Sequence, residues 1–420
     1  MKLTHAGIAG MVLLTMFLSQ YVNAQFSIDA QIRNRLEVRD GYKSLALEGT
    51  VPAVFLSQRT RLNINYENEN LKIRIAPQDV RLWGDQAIMS SGIGDNPSLD
   101  LHEAYADIKL CSSARVKVGR QELAYDNQRL LGTRNWNQNG ISYDALVLKM
   151  KLDQLNIHAG ASWNTRSEAS FGNLYPTSRI KSLNFLWFNR KFNDHFKLSL
   201  MHISAGITKT DTTDAMNFRH TTGIFSELKK EGLTFWGNFY FQYGKNQKSN
   251  DLSAMLLDAE VNYKAGKLTP GLGYSYLSGN DKIIAPGETD RLFDPLYGNR
   301  HGFNGLMDYF TSYAKQTNQG GLSNAYLYID YQFNKKLSAR NTLHLFSLAQ
   351  ANPATLDEKA LGMENDLVIR YKFTDWGNLE AGYCFYDPTE TLKGIQDVVN
   401  EKFSQFFYLQ LTLTPSLFRQ

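Results

Sequence analysis

The chain has 420 residues, 20% of them charged, and a formal charge of +4 at pH 7, an excess too small for this length to mark a nucleic-acid partner. Two cysteines, Cys111 and Cys384, make no disulfide framework. Beyond residue 24 no stretch approaches the roughly 18 to 20 consecutive apolar residues of a membrane helix, which excludes a helical membrane protein.

A membrane barrel stays open, because its wall shows lipid only every second residue and fills its lumen with polar side chains. The aromatic content of 12%, with 22 Tyr and 24 Phe, suits girdles at two membrane interfaces. The competing class at this point is a large soluble β-protein.

Residues 1–24 combine Lys2, a mostly apolar run over 8–18 and Val22-Asn23-Ala24 ahead of Gln25. That is the pattern of a secretory signal peptide with a small residue at the cleavage point. No Cys follows, so no lipid anchor is expected, and residues 25–420 are expected to form one barrel.

Read with a period of two, the mature chain falls into eighteen segments long enough for a tilted membrane strand, which needs roughly 9 to 11 residues. The first nine cover residues 26–39, 53–66, 71–84, 100–110, 115–123, 141–151, 155–165, 181–192 and 196–207. The second nine cover 217–229, 232–246, 252–264, 267–279, 322–333, 337–349, 363–373, 378–387 and 403–415. The connections alternate in length. Short turns such as Asn193-Asp194, Ala265-Gly266 and Asn334-Lys335 follow even strands, and long connections over 41–52, 85–99, 124–140, 166–180, 280–321 and 389–402 follow odd ones. This alternation predicts an all-β fold, a transmembrane antiparallel up-and-down barrel of about 18 strands with periplasmic termini. Such a wall encloses a channel unless loops fold in.

In the first strand Ile28, Ile32, Leu36 and Val38 alternate with Asp29, Gln31, Arg33, Arg35, Glu37 and Arg39. The charged face must look into the lumen, since an Arg at the bilayer midplane costs roughly 2 to 4 kcal/mol. The second strand repeats the pattern with Arg59 and Arg61. The third gives Lys72 and Arg74, then Asp79 and Arg81, with a change of register expected at Pro77. The expected lumen face of these strands therefore carries Arg33, Arg35, Arg39, Arg59, Arg61, Lys72, Arg74 and Arg81 against Asp29, Glu37 and Asp79. A one-sided lining focuses a positive potential on anions, and the planar guanidinium can hold a carboxylate with two parallel hydrogen bonds. The other reading of any single residue is an Arg–acid brace between strands.

The insertion over 280–321 contains Leu292-Phe293-Asp294-Pro295-Leu296-Tyr297-Gly298-Asn299-Arg300-His301-Gly302-Phe303. Its aromatics and glycines predict a packed loop that caps or narrows the pore, the alternative being an outer loop with no transport role. The last strand carries Phe406-Phe407-Tyr408-Leu409, and Phe418 stands two residues short of the end.

Three stretches carry a family resemblance: QDVRLWG (78–84), LHEAYADIKL (101–110) and RVKVGRQELAYDNQRLLGTRNWNQNGISYDA (115–145). They resemble the alginate export family of outer-membrane barrels, and residues 292–303 look like a corresponding loop. The resemblance implies a channel in a Gram-negative outer membrane with an arginine-rich constriction for a carboxylate-bearing polysaccharide. It also implies that Arg81, Arg120 and Arg129 lie in or near the pore. Strict alternation turns Arg120 outward, so its place in the lumen depends on a kink at Gly119.

Catalysis finds little support: His102, His158, His195, His202, His220, His301 and His344 are scattered, and no Ser sits in a G-x-S-x-G elbow. No spacing reads as a transition-metal site, and no cofactor is called for. The expectation is a non-enzymatic, anion-selective channel that exports an acidic, alginate-like polysaccharide. Its expected partners are anionic polysaccharide or oligosaccharide, outer-membrane lipid and periplasmic secretion components. A general porin for small anionic solutes, or one taking up uronate oligomers, is the alternative. A surface adhesin with a plugged lumen is a third class.

Overall fold

A computed structural model describes residues 25–84, 99–295, 297–351 and 358–420; the signal-peptide reading of residues 1–24 lies outside them. The strands in order are β1 (Gln25–Asp40), β2 (Ala53–Glu67), β3 (Leu71–Leu82), β4 (Asp100–Cys111), β5 (Ala114–Gln121) and β6 (Tyr143–Leu152). Next come β7 (Leu155–Trp163), β8 (Ser182–Lys191), β9 (Phe196–Thr208), β10 (Met216–Lys230), β11 (Leu233–Lys245) and β12 (Asp251–Tyr263). The last are β13 (Leu268–Leu277), β14 (Leu322–Gln332), β15 (Leu337–Ser347), β16 (Ala360–Thr374), β17 (Gly377–Pro388) and β18 (Ser404–Leu413). Each pairs antiparallel with its successor, and β1 pairs with β18 from Ile32↔Leu413 to Asp40↔Gln405, so the 18 strands close into a barrel. Closure leaves no row of unpaired backbone groups in lipid. After Thr414 and Pro415 the chain resumes as β19 (Ser416–Arg419), which continues along β1 and sets Phe418 against Phe26 with ring centroids 6.0 Å apart.

The two faces sort as the alternation requires. On β12 Met255, Leu257 and Val261 are exposed while Leu256 and Asp258 are buried. On β16 Leu367 and Ile369 are exposed while Glu364 and Asp366 are buried. An exposed apolar face and a buried polar one are the reverse of a soluble fold, and identify the outside as the lipid face and the inside as the lumen. Tyr263, Tyr331, Phe333, Tyr371 and Trp376 stand exposed near the short turns, and Trp83, Trp163 and Tyr243 near the long loops, as the two girdles predict.

The apolar core lies inside the barrel toward the long loops. The insertion, with the short helix α1 (Tyr313–Gln316), buries Phe293, Met307, Tyr309 and Phe310 completely. Tyr309 packs on Tyr386 of β17 at 4.3 Å and Phe310 on Phe346 of β15 at 4.7 Å between ring centroids. Its backbone is docked as well: Met307 N donates to Glu364 Oε1 at 2.7 Å and Leu306 N to Asp366 Oδ2 at 3.1 Å, both carboxylates on the lumen face of β16. The last long connection carries the helix α2 (Glu390–Gln396), which buries Leu392 beside the same core. Cys111 is exposed at the end of β4 and Cys384 is buried, and both thiols are free.

If Leu327, exposed at the middle of β14, faces hydrocarbon, Leu327→Arg should lower stability by about 2 to 4 kcal/mol, whereas Asn262→Arg on the lumen face of β12 should stay within about 0.5 kcal/mol. Denaturant titration of protein folded into lipid vesicles measures both. Equal costs would contradict the assignment of faces.

Candidate functional site

The site is built on the lumen faces of β1 and β2. Their register places Arg33 directly opposite Arg59 and Gln31 opposite Arg61, so two guanidinium groups share one face at one level. Like charges in direct opposition repel, and the third element that stabilises them is a run of backbone carbonyls. The connection between β5 and β6 crosses the lumen here. Arg33 donates to Asn135 O at 2.6 Å, Asn137 O at 3.1 Å and Gln138 Oε1 at 2.8 Å. Arg35 donates to Trp136 O at 2.9 Å, with its guanidinium stacked 3.9 Å above the Trp136 ring. Arg59 donates to Gln138 O at 3.2 Å and Asn135 Oδ1 at 2.9 Å, and Gln78 Nε2 to Asn139 O at 3.0 Å. The carbonyls of Asn135, Trp136 and Gln138 thus obtain charge-assisted donors, and that of Asn137, which also accepts from Gly140 N, obtains a second donor.

The far side of this loop is pinned by Arg129, fully buried, whose fork meets Asp258 of β12 at 2.8 and 3.3 Å and Ser275 of β13 at 3.0 Å. The insertion locks over it. Asn299 N donates to Gln128 O at 2.9 Å, Arg134 N to Asn299 Oδ1 at 2.7 Å and Arg134 Nε to Gly298 O at 3.0 Å. Gly298 is the residue this approach demands, since a Cβ there would stand 1.9 Å from Arg129 O.

Between the two loops lies a cavity of about 440 Å³ whose charged lining is Lys43, Arg134 and Arg300, with His301 and Asp308. Asp308 is occupied: His301 Nδ1 meets it at 2.8 Å and the Tyr42 hydroxyl donates to it. Burial pushes the Asp308 carboxyl up, but His301 and these hydrogen bonds outweigh burial and hold it below the usual carboxylate range. Burial first, and then the nearby Arg300, press Arg134 below the ordinary guanidinium range. Asp294, paired with Arg300 at 2.7 Å, offsets part of that repulsion. Trp136 and His301 stack at 3.9 Å and 8°, so with Arg35 on the other face of Trp136 the ring is sandwiched and serves as a wall.

Each residue singled out from sequence can now be placed. Arg33, Arg35, Arg59 and Arg61 face the lumen and are buried. Arg61 is held by Gln78 at 2.8 Å. Arg74 faces the lumen in an ion pair with Glu103 at 2.6 Å. Arg129 is inside the lumen, but its fork is taken by Asp258. Two placements are corrected. Arg81 does not face the lumen: Val80 and Leu82 lie opposite the lumen-facing Arg59 and Ser57, so Asp79 and Arg81 fall on the outer face with Thr60 and Gln58. The irregularity at Pro77 is real but affects only the pairing with β4, where Ala76↔Glu103 is followed by Pro77↔Leu101. Arg120 is also outside, in register with Ala104 and Asp144, and donates to Asp144 at 2.9 and 3.0 Å. Gly119 does have φ +119, and a Cβ there would lie 2.3 Å from Ala104 O. The distortion accommodates close backbone contact without turning the next side chain inward.

The basic excess on the first strands is also smaller than they alone imply, because Glu103 lies on β4 and Glu122, 4.0 Å from Arg61, just after β5. What stays uncompensated is the opposed pair Arg33 and Arg59, which make no ion pair among the described residues and meet only neutral acceptors. Sequence reasoning missed Lys43, Arg134 and Arg300. The last two stand inside the quoted stretches RLLGTRNWNQNG and LYGNRHGF, and loop cations carry no periodicity to reveal their direction.

A family model described as alginate export matches residues 24–404. No curated protein sequence matches the chain. Among solved structures the chain is similar to OpdK from Pseudomonas aeruginosa, crystallised with vanillate, at 12% identity and a TM-score of 0.64 over 94% of this chain and 99% of that one. It is similar to OccK9 (OpdG) of the same organism at 15% and 0.65, over 93% and 98%. A BenF-like porin from Pseudomonas fluorescens Pf-5 gives 14% and 0.64, over 93% and 99%. At these identities the likeness speaks to the fold alone.

If the lumen arginines clamp the loop, Arg33→Ala or Arg59→Ala should leave buried carbonyls unpaired at about 1 to 3 kcal/mol each and raise hydrogen exchange over residues 133–140. Arg120→Ala, which removes an exposed ion pair, should change stability by less than about 1 kcal/mol. Unaltered exchange in the Arg59 variant would show that the loop is held by something else.

Proposed function

We propose that this chain, which belongs to the alginate export family and is a channel of the Gram-negative outer membrane, prefers anions and passes an acidic polysaccharide such as alginate outward. The observation that carries the reading is the cavity between the two interlocked loops, where Lys43 and Arg134 face a space together with Arg300, itself paired with Asp294 at 2.7 Å, and where the one lining carboxylate, Asp308, is already engaged by His301 and Tyr42. Arg33 and Arg59, buried behind the loop without counter-ions, add to the positive potential there. In a narrow, low-dielectric passage such charges raise the local concentration of anions. A linear uronate offers repeated carboxylates, and several weak cationic sites suit movement along a chain better than one tight site. Arg33, Arg35 and Arg59 act at second hand, by holding the loop that presents Arg134.

A second reading is passage of small anionic solutes. The inward-packed insertion supports it, because the aromatic core around Phe310, Tyr309 and Phe346 occupies lumen, and a porin of the same fold was crystallised with the small carboxylate vanillate. Export of a polymer and uptake of its oligomers use the same passive passage in opposite directions.

In planar bilayers, reversal potentials should favour the anion, and Arg134→Glu combined with Lys43→Glu should diminish that preference; cation selectivity in the unaltered protein would defeat the reading. Uronate oligomers should block the current in a length-dependent way while neutral glucan oligomers should not. Block by small carboxylates alone, without dependence on oligomer length, would favour the second reading.

A further inference from the structure

The end of the barrel that carries the short turns and both termini has a concave basic surface of its own. The turn over 264–267 reads Lys-Ala-Gly-Lys and the turn over 333–336 reads Phe-Asn-Lys-Lys. The pairing of β13 with β14 sets them side by side: Gln332 N donates to Lys267 O at 2.8 Å and Lys267 Nζ to Phe333 O at 3.1 Å. Lys372 N in turn donates to Lys336 O at 2.8 Å, which joins the β16–β17 turn to the same arc. Lys264, Lys267, Lys335 and Lys336 are exposed and enter no ion pair among the described residues.

Beside them is a cavity of about 420 Å³ lined by Lys335, Lys336, Arg370 and Lys372, with Asp375 and Glu380. Both carboxylates are engaged, Asp375 with Lys372 at 2.7 Å and Glu380 with Arg370 at 2.7 Å and the Tyr408 hydroxyl at 2.8 Å. Arg370 and Lys372 share the face of β16 that buries Asp366, opposite to the exposed Ile369 and Tyr371, so the cavity opens toward the lumen mouth and away from lipid.

We infer that this lysine arc is a capture surface for a polyanion arriving at the periplasmic mouth, so that an acidic polysaccharide is loaded from the periplasm; this rests on the channel reading above and adds to it a side and a second subsite. Exposed lysines on short turns hold no fixed geometry, which suits attraction of a flexible chain before its carboxylates reach the more rigid cations of the inner cavity. Attraction of this kind acts on the association rate and is screened by salt within about 10 Å at 0.1 M.

The test is one-sided block in planar bilayers with uniformly oriented channels and a uronate oligomer as the probe, comparing the unaltered protein with K264Q/K267Q/K335Q/K336Q. The association rate of block from the periplasmic side should fall roughly tenfold at low salt in the variant and converge with the unaltered protein at high salt, while the rate from the outer side serves as the internal comparison. A periplasmic rate that does not move in the variant, or that falls equally from both sides, overturns the capture surface and leaves the cargo reading standing. Absence of block from either side in the unaltered protein overturns both. Lysine dependence that disappears when inner-leaflet anionic lipid is replaced by neutral lipid would assign the arc to lipid headgroups and overturn it too.

Discussion

The interior of this barrel depends on guanidinium donors meeting backbone carbonyls. A loop that enters a barrel leaves behind the water that would have solvated its peptide groups, and an unpaired buried carbonyl costs as much as a lost hydrogen bond. Asn135, Trp136, Asn137 and Gln138 are carried across that barrier because Arg33, Arg35 and Arg59 stand ready with rigid, always-charged donors. The same contacts solve the opposite difficulty. Two arginines in direct cross-strand opposition are tolerable when carbonyl oxygens fill the space between them.

Most of the wall was legible in the sequence, because a strand between lipid and lumen has no freedom in the direction its side chains take. A one-residue slip reverses both faces, so β1 and β2 announce themselves through Ile28, Ile32, Leu62 and Ile64 against their arginines. Legibility failed where a local cue was given more weight than the ladder. Pro77 suggested a change of face, but the pairing with β2 runs through it, from Ile64↔Ile75 to Ser57↔Leu82, and the irregularity is absorbed on the β4 side. For Arg120 plain alternation was the better guide, and Asp144 on the neighbouring strand is what makes an outward arginine tolerable.

The lumen was harder to read. Packing of the insertion could be anticipated from its aromatics, yet which loop cations meet across the bore is fixed by contacts between residues far apart in the chain, such as Arg134 with Gly298 and Asn299. No period or spacing encodes those meetings. Of the arginines that periodicity did reveal, Arg33, Arg35 and Arg59 hold the loop, and those that line the cavity, Arg134 and Arg300, sit in irregular backbone.

The residues from Arg129 to Gln138 have one further property. They are clamped at one end by β1 and β2 and pinned at the other by β12 and β13, nearly half way round the ring. A tie across a hoop resists ovalisation, and a tube made only of a hydrogen-bonded sheet is otherwise soft to lateral squeezing. Between those two parts of the wall the span is bridged by a ten-residue cross-member whose length is set by sequence.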